Sequence, residues 1–370
     1  MTSRHVYLHI PFCQHICRYC GFFKSADAGG ADRFVEQASR EIQAKGNDPV
    51  QTLYFGGGTP SLLSPAQFEK LAAPFLNRLQ AGYEWSVEAN PESLSPEKIA
   101  LYKKLGVNRI SLGIQSFQDE LLERMGRHHT AELARQRVAQ LRQAGIDNIS
   151  ADLIYALPGQ SLEMLKADLQ AFLELDLPHL SIYSLQIEEN SVWGKQGLEP
   201  ADEDLEADMY ECIVSTLKSA GYEHYEISSF AKPGYYGKHN LAYWQDEDFT
   251  GIGPGASGRD PLRYTNKPDL AGYLVHGPEP VMESRPEEAP FEAIMMGLRT
   301  RFGFSVTDWQ QKYHRDFFSD YQDVLQRWTP EYLHLENGYL KPGEKGMEIL
   351  NTILVDFLEA EEAISAPEVK

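Results

Sequence analysis

The chain has 370 residues, of which 42% are hydrophobic, and a formal net charge of −20 from 34 basic and 54 acidic side chains. This length is enough to bury a sizeable core and predicts one large and one small domain. The acidic balance is typical of a soluble protein and argues against a broad surface for nucleic-acid phosphates or anionic lipids, which it would repel. No stretch approaches the roughly 18 consecutive apolar residues of a membrane-spanning helix, so no transmembrane segment is predicted.

The N-terminus and the cysteine usage both predict a cytoplasmic protein. Met1 is followed almost at once by the first predicted strand, which leaves no room for a signal peptide. Three of the four cysteines, Cys13, Cys17 and Cys20, are clustered, and Cys212 stands alone in a helical pattern. This is not the pattern of a disulfide-stapled secreted domain, and it fits a reducing compartment.

Strand-like apolar runs alternate with helix-like segments through most of the chain. The runs are residues 6–10, 52–55, 85–89, 109–114, 149–157, 180–187 and 225–230. Ser64 before Pro65 and Ser95 before Pro96 have the spacing of helix N-caps. Regular strand–helix alternation predicts parallel βα units, and about six of them suggest a barrel or partial barrel.

The loop after the first strand carries the C-x3-C-x2-C spacing. Dense thiolates are soft ligands that select zinc, copper(I) or iron–sulfur clusters. A four-iron cluster normally takes four cysteines, so three would leave one iron open to a substrate or cofactor. Spacing alone also allows a zinc site of three thiolates with His15 or His9. The clustering argues against inert thiols and against a disulfide set.

Unusual residues follow the other predicted strands as well, at the end where barrel enzymes carry their sites. Residues 56–60, Gly-Gly-Gly-Thr-Pro, lack the spacing of a nucleotide P-loop, and glycines alone are as typical of a tight turn. Glu88, Gln115, Arg127 and Asp152 lie at or near strand ends. Together they supply carboxylates, an amide and a guanidinium to one predicted rim.

A second motif, residues 239–244, reads His-Asn-Leu-Ala-Tyr-Trp. A histidine beside aromatic side chains is a candidate axial ligand for iron, with rings to pack a tetrapyrrole face. The more frequent role of such a cluster is loop or core packing.

The character of the chain changes at about residue 285. A Pro- and Glu-containing linker, residues 286–290, precedes helices, an Asn337-Gly338 hairpin signal and a last amphipathic helix over residues 346–360. This order predicts a winged-helix-like module. Residues 285–370 hold 9 basic and 16 acidic side chains, so we expect a lid or partner-contact module and no nucleic-acid surface. The predicted domains are therefore residues 1–284 and 285–370.

The run Tyr7–Cys13 with Cys17 and Cys20 resembles the signature of the radical-SAM superfamily. It is closest to the branch of oxygen-independent coproporphyrinogen III oxidases and their heme-chaperone (HemW-type) relatives. The resemblance implies an α/β fold: a partial (β/α)6 TIM-like barrel with an extension, plus the small C-terminal module. It also implies a [4Fe-4S] cluster on the three cysteines, whose open iron binds S-adenosylmethionine.

The same resemblance assigns the cofactor contacts. Residues 87–91, 113–117 and 125–127 match that family, and a similar glycine-rich turn contacts the amino group of S-adenosylmethionine there. The implied contacts are Gly57, Gly58, Thr59, Glu88, Gln115, Arg127 and Asp152, with Tyr7 and Tyr19 beside the cofactor.

The motif at residues 239–244 resembles the heme-chaperone branch, as do residues 225–234 and 251–258. This implies His239 as heme ligand, transfer of heme to an acceptor protein, and an electron donor for the cluster. The chain departs from the family at Ser257, where a histidine is frequent, which puts a second iron or tetrapyrrole contact there in doubt. It departs from the oxidases at Phe22, where they tend to carry a further cysteine, and in beginning without their N-terminal extension.

These departures favour a heme chaperone. The alternative is an oxygen-independent coproporphyrinogen III oxidase, which removes propionate carboxyl groups through a deoxyadenosyl radical. An enzyme that opens or methylates heme is a third reading.

Overall fold

The computed structural model describes residues 3–365. Its strands in chain order are β1 His5–Ile10, β2 Val50–Gly57, β3 Leu79–Ala89, β4 Arg109–Gln115, β5 Ile149–Tyr155, β6 His179–Ser184, β7 Glu223–Glu226, β8 Ser229–Ala231, β9 Phe249–Ile252, β10 Ser257–Arg259, β11 Arg263–Asn266, β12 Pro280–Met282, β13 Phe304–Ser305, β14 Leu333–Glu336 and β15 Tyr339–Pro342.

The helices cover the outer face of the sheet and build the C-terminal region. They are α1 Ala31–Ala44, α2 Pro65–Ala72, α3 Pro96–Leu105, α4 Asp119–Met125, α5 Ala131–Gln143, α6 Leu162–Glu174, α7 Val192–Lys195, α8 Glu203–Ser219, α9 Lys238–Trp244, α10 Leu270–His276, α11 Ala289–Gly297, α12 Val306–Tyr313, α13 Phe317–Asp320, α14 Gln322–Trp328, α15 Glu344–Glu348 and α16 Leu350–Ser365. Ser64 and Ser95 cap α2 and α3 as predicted, the first with a complete capping box. Within residues 3–365, no helix is both long and apolar enough to cross a bilayer.

Strands β1 to β6 lie side by side in chain order and are all parallel. In the described part of the chain β1 does not close onto β6, because β9 pairs with β1 and β8 pairs with β6. The inner faces of β2 to β6 nevertheless line one cavity, so the sheet is curved. The predicted α/β partial barrel with an extension is confirmed.

The two faces of these strands differ in polarity. Side chains alternate along a strand, and one set, including Leu53, Trp85 and Ile110, is fully buried against the outer helices. The other set faces the interior and is polar, with Ser86 and Ser111 among its members. A TIM barrel is ordinarily filled by packed apolar side chains, so a polar and hollow interior indicates a ligand site.

One strand prediction was wrong. Residues 225–230 were predicted as a single strand, but the structure has β7 and β8, which pair antiparallel to each other. The break follows from distant contacts: the Ile227 amide donates to the Arg299 carbonyl at 3.3 Å, and Glu226 bridges to Thr300. The turn between β7 and β8 is therefore held by the C-terminal region.

Helix α9 closes the end of the barrel opposite the cysteine loop. The strands start there, and Thr52, near the start of β2, contacts His239 of this helix. The extension continues from α9 through β9, which adds to the sheet parallel to β1, and then through antiparallel β10, β11 and β12. We call this closed end the floor and the cysteine-loop end the rim.

The C-terminal region has its own apolar core. Its buried side chains include Ile294, Trp309, Phe317, Tyr321 and Phe357. A three-stranded antiparallel sheet, β13-β15-β14, packs with its helices. The predicted hairpin turn has positive φ at both central residues, 53° at Asn337 and 80° at Gly338, as a type I′ turn requires. The predicted last helix is divided at Ile349 into α15 and α16.

Candidate functional site

One cavity of about 650 Å³ occupies the interior of the barrel. It opens at the rim beside the cysteine loop and extends to Gly237 and Asn240 at the floor. Ligand pockets of drug-sized molecules span about 300 to 1,000 Å³, so the cavity has room for a nucleoside-sized ligand. Most of the predicted site residues line it: Cys13, Cys17, Tyr19, Cys20, Gly57, Gly58, Thr59, Glu88, Gln115, Arg127 and Asp152.

The three clustered cysteines are free thiols on the loop that follows β1. Cys13 is buried, and Cys17 and Cys20 are half-buried. Burial raises the pKa of the Cys13 and Cys20 thiols, with smaller opposing effects from Thr59 at Cys13 and from Lys24 at both. Uncompensated thiolates are therefore disfavoured here, and a bound metal centre would supply the compensating positive charge.

The zinc alternative needs a histidine beside the three thiolates of the loop. Tetrahedral zinc would hold its thiolates within about 3.8 Å of one another, given a Zn–S distance near 2.3 Å. Among residues 3–365, no three His, Cys, Asp or Glu side chains converge in a single-ion arrangement. Neither histidine of the zinc alternative completes a set: His9 bonds Tyr7 and the Phe23 carbonyl, and His15 stacks on His128. Neither histidine therefore supplies the fourth ligand of a zinc site, and the three cysteines alone remain at the mouth of the cavity.

The glycine turn after β2 is shaped by close backbone contacts. The Gly58 amide donates to the Ile10 carbonyl at 2.9 Å, and the Thr59 amide donates to the Phe12 carbonyl at 2.7 Å. A Cβ on Gly58 would lie 2.7 Å from the Phe12 oxygen, and Gly57 has a φ of 105°. Glycine is thus needed to bring this turn against the cysteine loop, and the Thr59 hydroxyl reaches the Cys13 sulfur at 3.5 Å.

Two carboxyl groups face the cavity. Glu88 accepts the Tyr54 hydroxyl at 2.8 Å and the Gly57 amide at 3.0 Å. Asp152 accepts the Ser111 hydroxyl at 2.8 and 2.9 Å. Burial raises the pKa of Glu88 to about 7 and that of Asp152 to about 6, and the Asp152 charge adds to the shift of Glu88. Both groups therefore change charge close to neutral pH.

Arg127 lies against the cysteine loop. Its guanidinium donates to the Asn90 side chain at 2.8 Å, to the Gly113 carbonyl at 2.6 Å and to the Cys17 sulfur at 3.6 Å. Its Nε is buried and has no partner among the described residues, so the group still has a donor to offer. Gln115 lines the same wall from the end of β4 and has a φ of 68°, a backbone conformation that is rare outside glycine.

The two predicted tyrosines occupy different positions. Tyr19 lines the cavity mouth and packs against Trp193 with ring centroids 6.3 Å apart. Tyr7 lies in the barrel wall, where its hydroxyl bonds His9 Nδ1 at 3.0 Å and its ring lies 5.9 Å from that of Tyr54. Tyr7 is therefore one layer behind the cavity surface.

His239 lies at the floor, far from the cysteines. Its ring is 1% exposed and stacks on Tyr54, with ring centroids 5.1 Å apart. Nδ1 bonds the Thr52 hydroxyl at 2.6 Å, and Nε2 bonds the Tyr243 hydroxyl at 2.5 Å. Burial lowers the pKa of His239 to about 3, so the ring is neutral. Both nitrogens are engaged, and a metal reaches Nε2 only after Tyr243 moves.

The interior polar residues were missed by the sequence reasoning. Hydroxyl and ionic groups from five neighbouring strands form the cavity wall: Tyr54, Glu84, Ser86, Arg109, Ser111, Ser150, His179 and Ser181. A signal exists, because each is a polar residue within an apolar run or directly before one, at the period-2 positions that face away from the helices. The alternation shows which side chains share a face of the strand. It does not show that the inward-facing side chains line a cavity.

Comparison with known proteins gives concordant matches. The family model of the Radical SAM superfamily matches residues 7–172, and that of the HemN C-terminal domain matches residues 285–349. Heme chaperone HemW of Lactococcus lactis is 40% identical over 95% of this chain and 96% of its own length, and HemW of Bacillus subtilis is 37% identical over 86% and 89%. In a solved structure, coproporphyrinogen III oxidase (HemN) of Escherichia coli shares the fold at a TM-score of 0.82, with 21% identity over 96% of this chain and 91% of that one.

Proposed function

The chain belongs to the HemW family of radical SAM proteins, and we propose that it binds heme and transfers it to an acceptor protein. The observation that carries this function is the floor of the barrel. There an imidazole, His239, lies between the rings of Tyr54 and Tyr243 within the motif at residues 239–244. A neutral imidazole among aromatic rings has the chemistry of an axial heme ligand.

The rim has a separate role. Cys13, Cys17 and Cys20 would hold a [4Fe-4S] cluster, which supplies an open iron, and S-adenosylmethionine would bind beside it. Glu88, in its ionised form, would accept the cofactor's ammonium group, and Arg127 would donate to its carboxylate.

Asp152 lies deeper in the cavity and would accept the ribose hydroxyls. Gly57, Gly58 and Thr59 would line the turn over the amino group, with Gln115 and Tyr19 along the walls. Tyr7 would not touch the cofactor directly; it would hold His9 by a hydrogen bond and support the ring of Tyr54.

The C-terminal region is proposed as the partner module. Residues 1–284 would form the barrel with its extension, and residues 285–370 the second domain. Residues 1–2 of the first range and 366–370 of the second lie outside the described part. The separate apolar core of that region supports the division. The acceptor would dock there, and the family also implies an electron donor for the cluster. Free, clustered thiols favour the cytoplasm as the working compartment.

The test is an anaerobic reconstitution with ferrous iron and sulfide, followed by heme titration on the same sample. We expect brown cluster absorbance, then a Soret band that saturates with heme. His239→Ala should lose the Soret band and keep the cluster. His179→Ala is the matched control, because His179 is equally buried near the floor but bonds Ser150 and Tyr225 instead.

A second incubation decides between chaperone and oxidase. The reconstituted protein receives coproporphyrinogen III, a reductant and S-adenosylmethionine. A heme chaperone leaves the propionate groups intact. Vinyl products would contradict the proposed function and favour the oxidase, while loss of heme together with S-adenosylmethionine would favour an enzyme that modifies heme.

A further inference from the structure

Asn90, the residue that follows β3, lies between two groups that contact the cysteine sulfurs. Its side-chain oxygen accepts from Arg127 Nη2 at 2.8 Å, and its side-chain nitrogen donates to the Thr59 hydroxyl at 3.2 Å. Arg127 Nη1 in turn donates to the Cys17 sulfur at 3.6 Å, and the Thr59 hydroxyl donates to the Cys13 sulfur at 3.5 Å. One amide side chain thus connects the hydrogen-bond donors of two of the three sulfurs.

The donors and acceptors available fix the direction of each bond. A guanidinium has only donors and keeps its charge in proteins, so the oxygen of the Asn90 amide faces Arg127 and the NH2 group faces Thr59. Because the Thr59 oxygen accepts from Asn90, its single proton is free for the sulfur. Arg127 Nη2 spends both of its protons, on Asn90 and on the Gly113 carbonyl at 2.6 Å. The guanidinium is therefore held with Nη1 towards the cysteine loop.

The backbone around Asn90 is fixed as well. Its amide donates to the Ser61 hydroxyl at 3.2 Å, and its carbonyl accepts from the amides of Ser93 and Leu94, both at 3.1 Å. Three hydrogen bonds therefore hold the main chain from which the Asn90 side chain projects. The two donors are oriented by the protein itself, and this orientation is already present before any ligand binds at the rim.

We propose that Asn90 is a positioning residue of the iron–sulfur site, which directs one hydrogen bond to the Cys13 sulfur and one to the Cys17 sulfur and thereby raises the reduction potential of the cluster. Reduction adds one negative charge to the cluster and its thiolates, and hydrogen bonds to the sulfurs stabilise this more negative state. The cluster can then be reduced by a milder electron donor. This inference rests on the proposed function, because it takes the three cysteines as ligands of the cluster.

The experiment measures the midpoint potential of the reconstituted cluster by a redox titration that follows the EPR signal of the reduced form. S-adenosylmethionine is left out, so that changes in its binding do not contribute. Thr59→Val keeps the side-chain shape but removes the hydroxyl. It should lower the equilibrium constant for reduction roughly three- to tenfold, where tenfold corresponds to about 59 mV for one electron. Asn90→Leu releases both donors and should lower this constant at least as much.

The double variant tests whether Asn90 acts through Thr59. If it does, Asn90→Leu combined with Thr59→Val should lower the potential by less than the sum of the two single shifts. Full additivity would overturn the positioning role. The matched control is Asn77→Leu, since Asn77 is exposed and lies at the opposite end of β3. It should leave the potential unchanged. Iron and sulfide are counted in every sample, so that potentials are compared at equal cluster content.

The outcomes separate this inference from the proposed function. If the unmodified protein forms no cluster, the proposed role of the three cysteines fails, and the inference fails with it. If the cluster forms but its potential is the same in Thr59→Val and Asn90→Leu, the positioning role is wrong and the heme chaperone stands. Thr59→Val alone decides the matter if Asn90→Leu does not retain its cluster.

Discussion

The rim and the floor of the barrel differ in how many of their polar side chains already have hydrogen-bond partners. At the rim, the buried Arg127 Nε has no partner within residues 3–365, and the thiols face an open cavity. At the floor, Glu247, His5, Thr52, His239 and Tyr243 satisfy one another. A ligand at the rim can bind to groups that have no partner yet, whereas a ligand at the floor must first break an existing hydrogen bond. The rim is suited to a resident cofactor and the floor to a cargo that is taken up and released.

Distance reinforces this difference. Thr52 and Gly57 lie five residues apart on β2, which is about 16 Å at roughly 3.3 Å per residue. The cysteine loop adjoins Gly57, and His239 adjoins Thr52. Substitutions at one end are therefore expected to leave the other end unchanged.

The largest effect is expected for Cys17→Ser. It removes one of the three thiolates, so the reconstituted protein should lose the cluster absorbance and most of its iron. The floor should be unaffected, with an unchanged Soret band after heme addition. Cys212→Ser is the control and should keep the cluster. Unchanged iron in Cys17→Ser would show that the cysteine assignment is wrong.

Glu88→Gln tests the electrostatics of the rim. Loss of an ionic hydrogen bond should weaken S-adenosylmethionine binding roughly 10- to 100-fold, measured by equilibrium dialysis. Because the pKa of Glu88 is about 7 and the bound form is the carboxylate, affinity in the unmodified protein should rise from pH 6 to 8. The rise should be smaller in the variant, where only Asp152 still ionises near this range, and the exposed Glu163→Gln should keep it in full.

The same carboxyl predicts a trend in stability. Its pKa in the folded protein lies above its ordinary value of 4.5, so the folded state retains a proton that the unfolded chain has lost. The free energy of unfolding should thus fall as the pH rises from about 4.5 through about 7. Thermal melts should show this fall to be smaller in Glu88→Gln. A fall of equal size in both proteins would contradict the shifted pKa.

At the floor, Glu84→Gln should loosen α9. Glu84 accepts the amides of Lys238 and His239, both at 3.0 Å, and one of them would then face an amide donor, at a cost of about 1–3 kcal/mol in the free energy of unfolding. Hydrogen exchange should quicken at Lys238 and His239 but not in the glycine turn. Equal quickening at both ends would mean that the floor is not an independent unit. Glu69→Gln is the control, since the half-buried Glu69 side chain pairs only with Lys104 at the surface.

The smallest effect is expected for Lys312→Ala. Lys312 of α12 bonds Asp246, next to Glu247, at 2.7 Å, and its side chain is 47% exposed. Lys312 is largely exposed and Asp246 keeps its second partner, Arg259, so the loss should be about 0–1 kcal/mol and the melting temperature should barely change. A larger loss would show that the C-terminal region supports the floor.

The local parts of the molecule were predictable from sequence. The cysteine loop, the capped helices and the Asn337-Gly338 turn depend on neighbouring residues, and all three were predicted. The floor was not, because Thr52 and His239 are 187 positions apart and meet only when the barrel forms. The predicted strand over residues 225–230 failed for the same reason, since Arg299 and Thr300 set its break.

Tyr54 spans the wall between the two ends: its hydroxyl donates to Glu88 while its ring lies on His239. A ligand that forms a hydrogen bond with the Glu88 carboxylate should weaken the bond between Glu88 and Tyr54. The Tyr54 ring, which packs on His239, would then be held less firmly. Thermodynamic linkage makes such an influence mutual and equal in size. Saturation with S-adenosylmethionine should thus alter the heme dissociation constant by the same factor as heme alters that of S-adenosylmethionine. Tyr54 would then couple the two binding affinities.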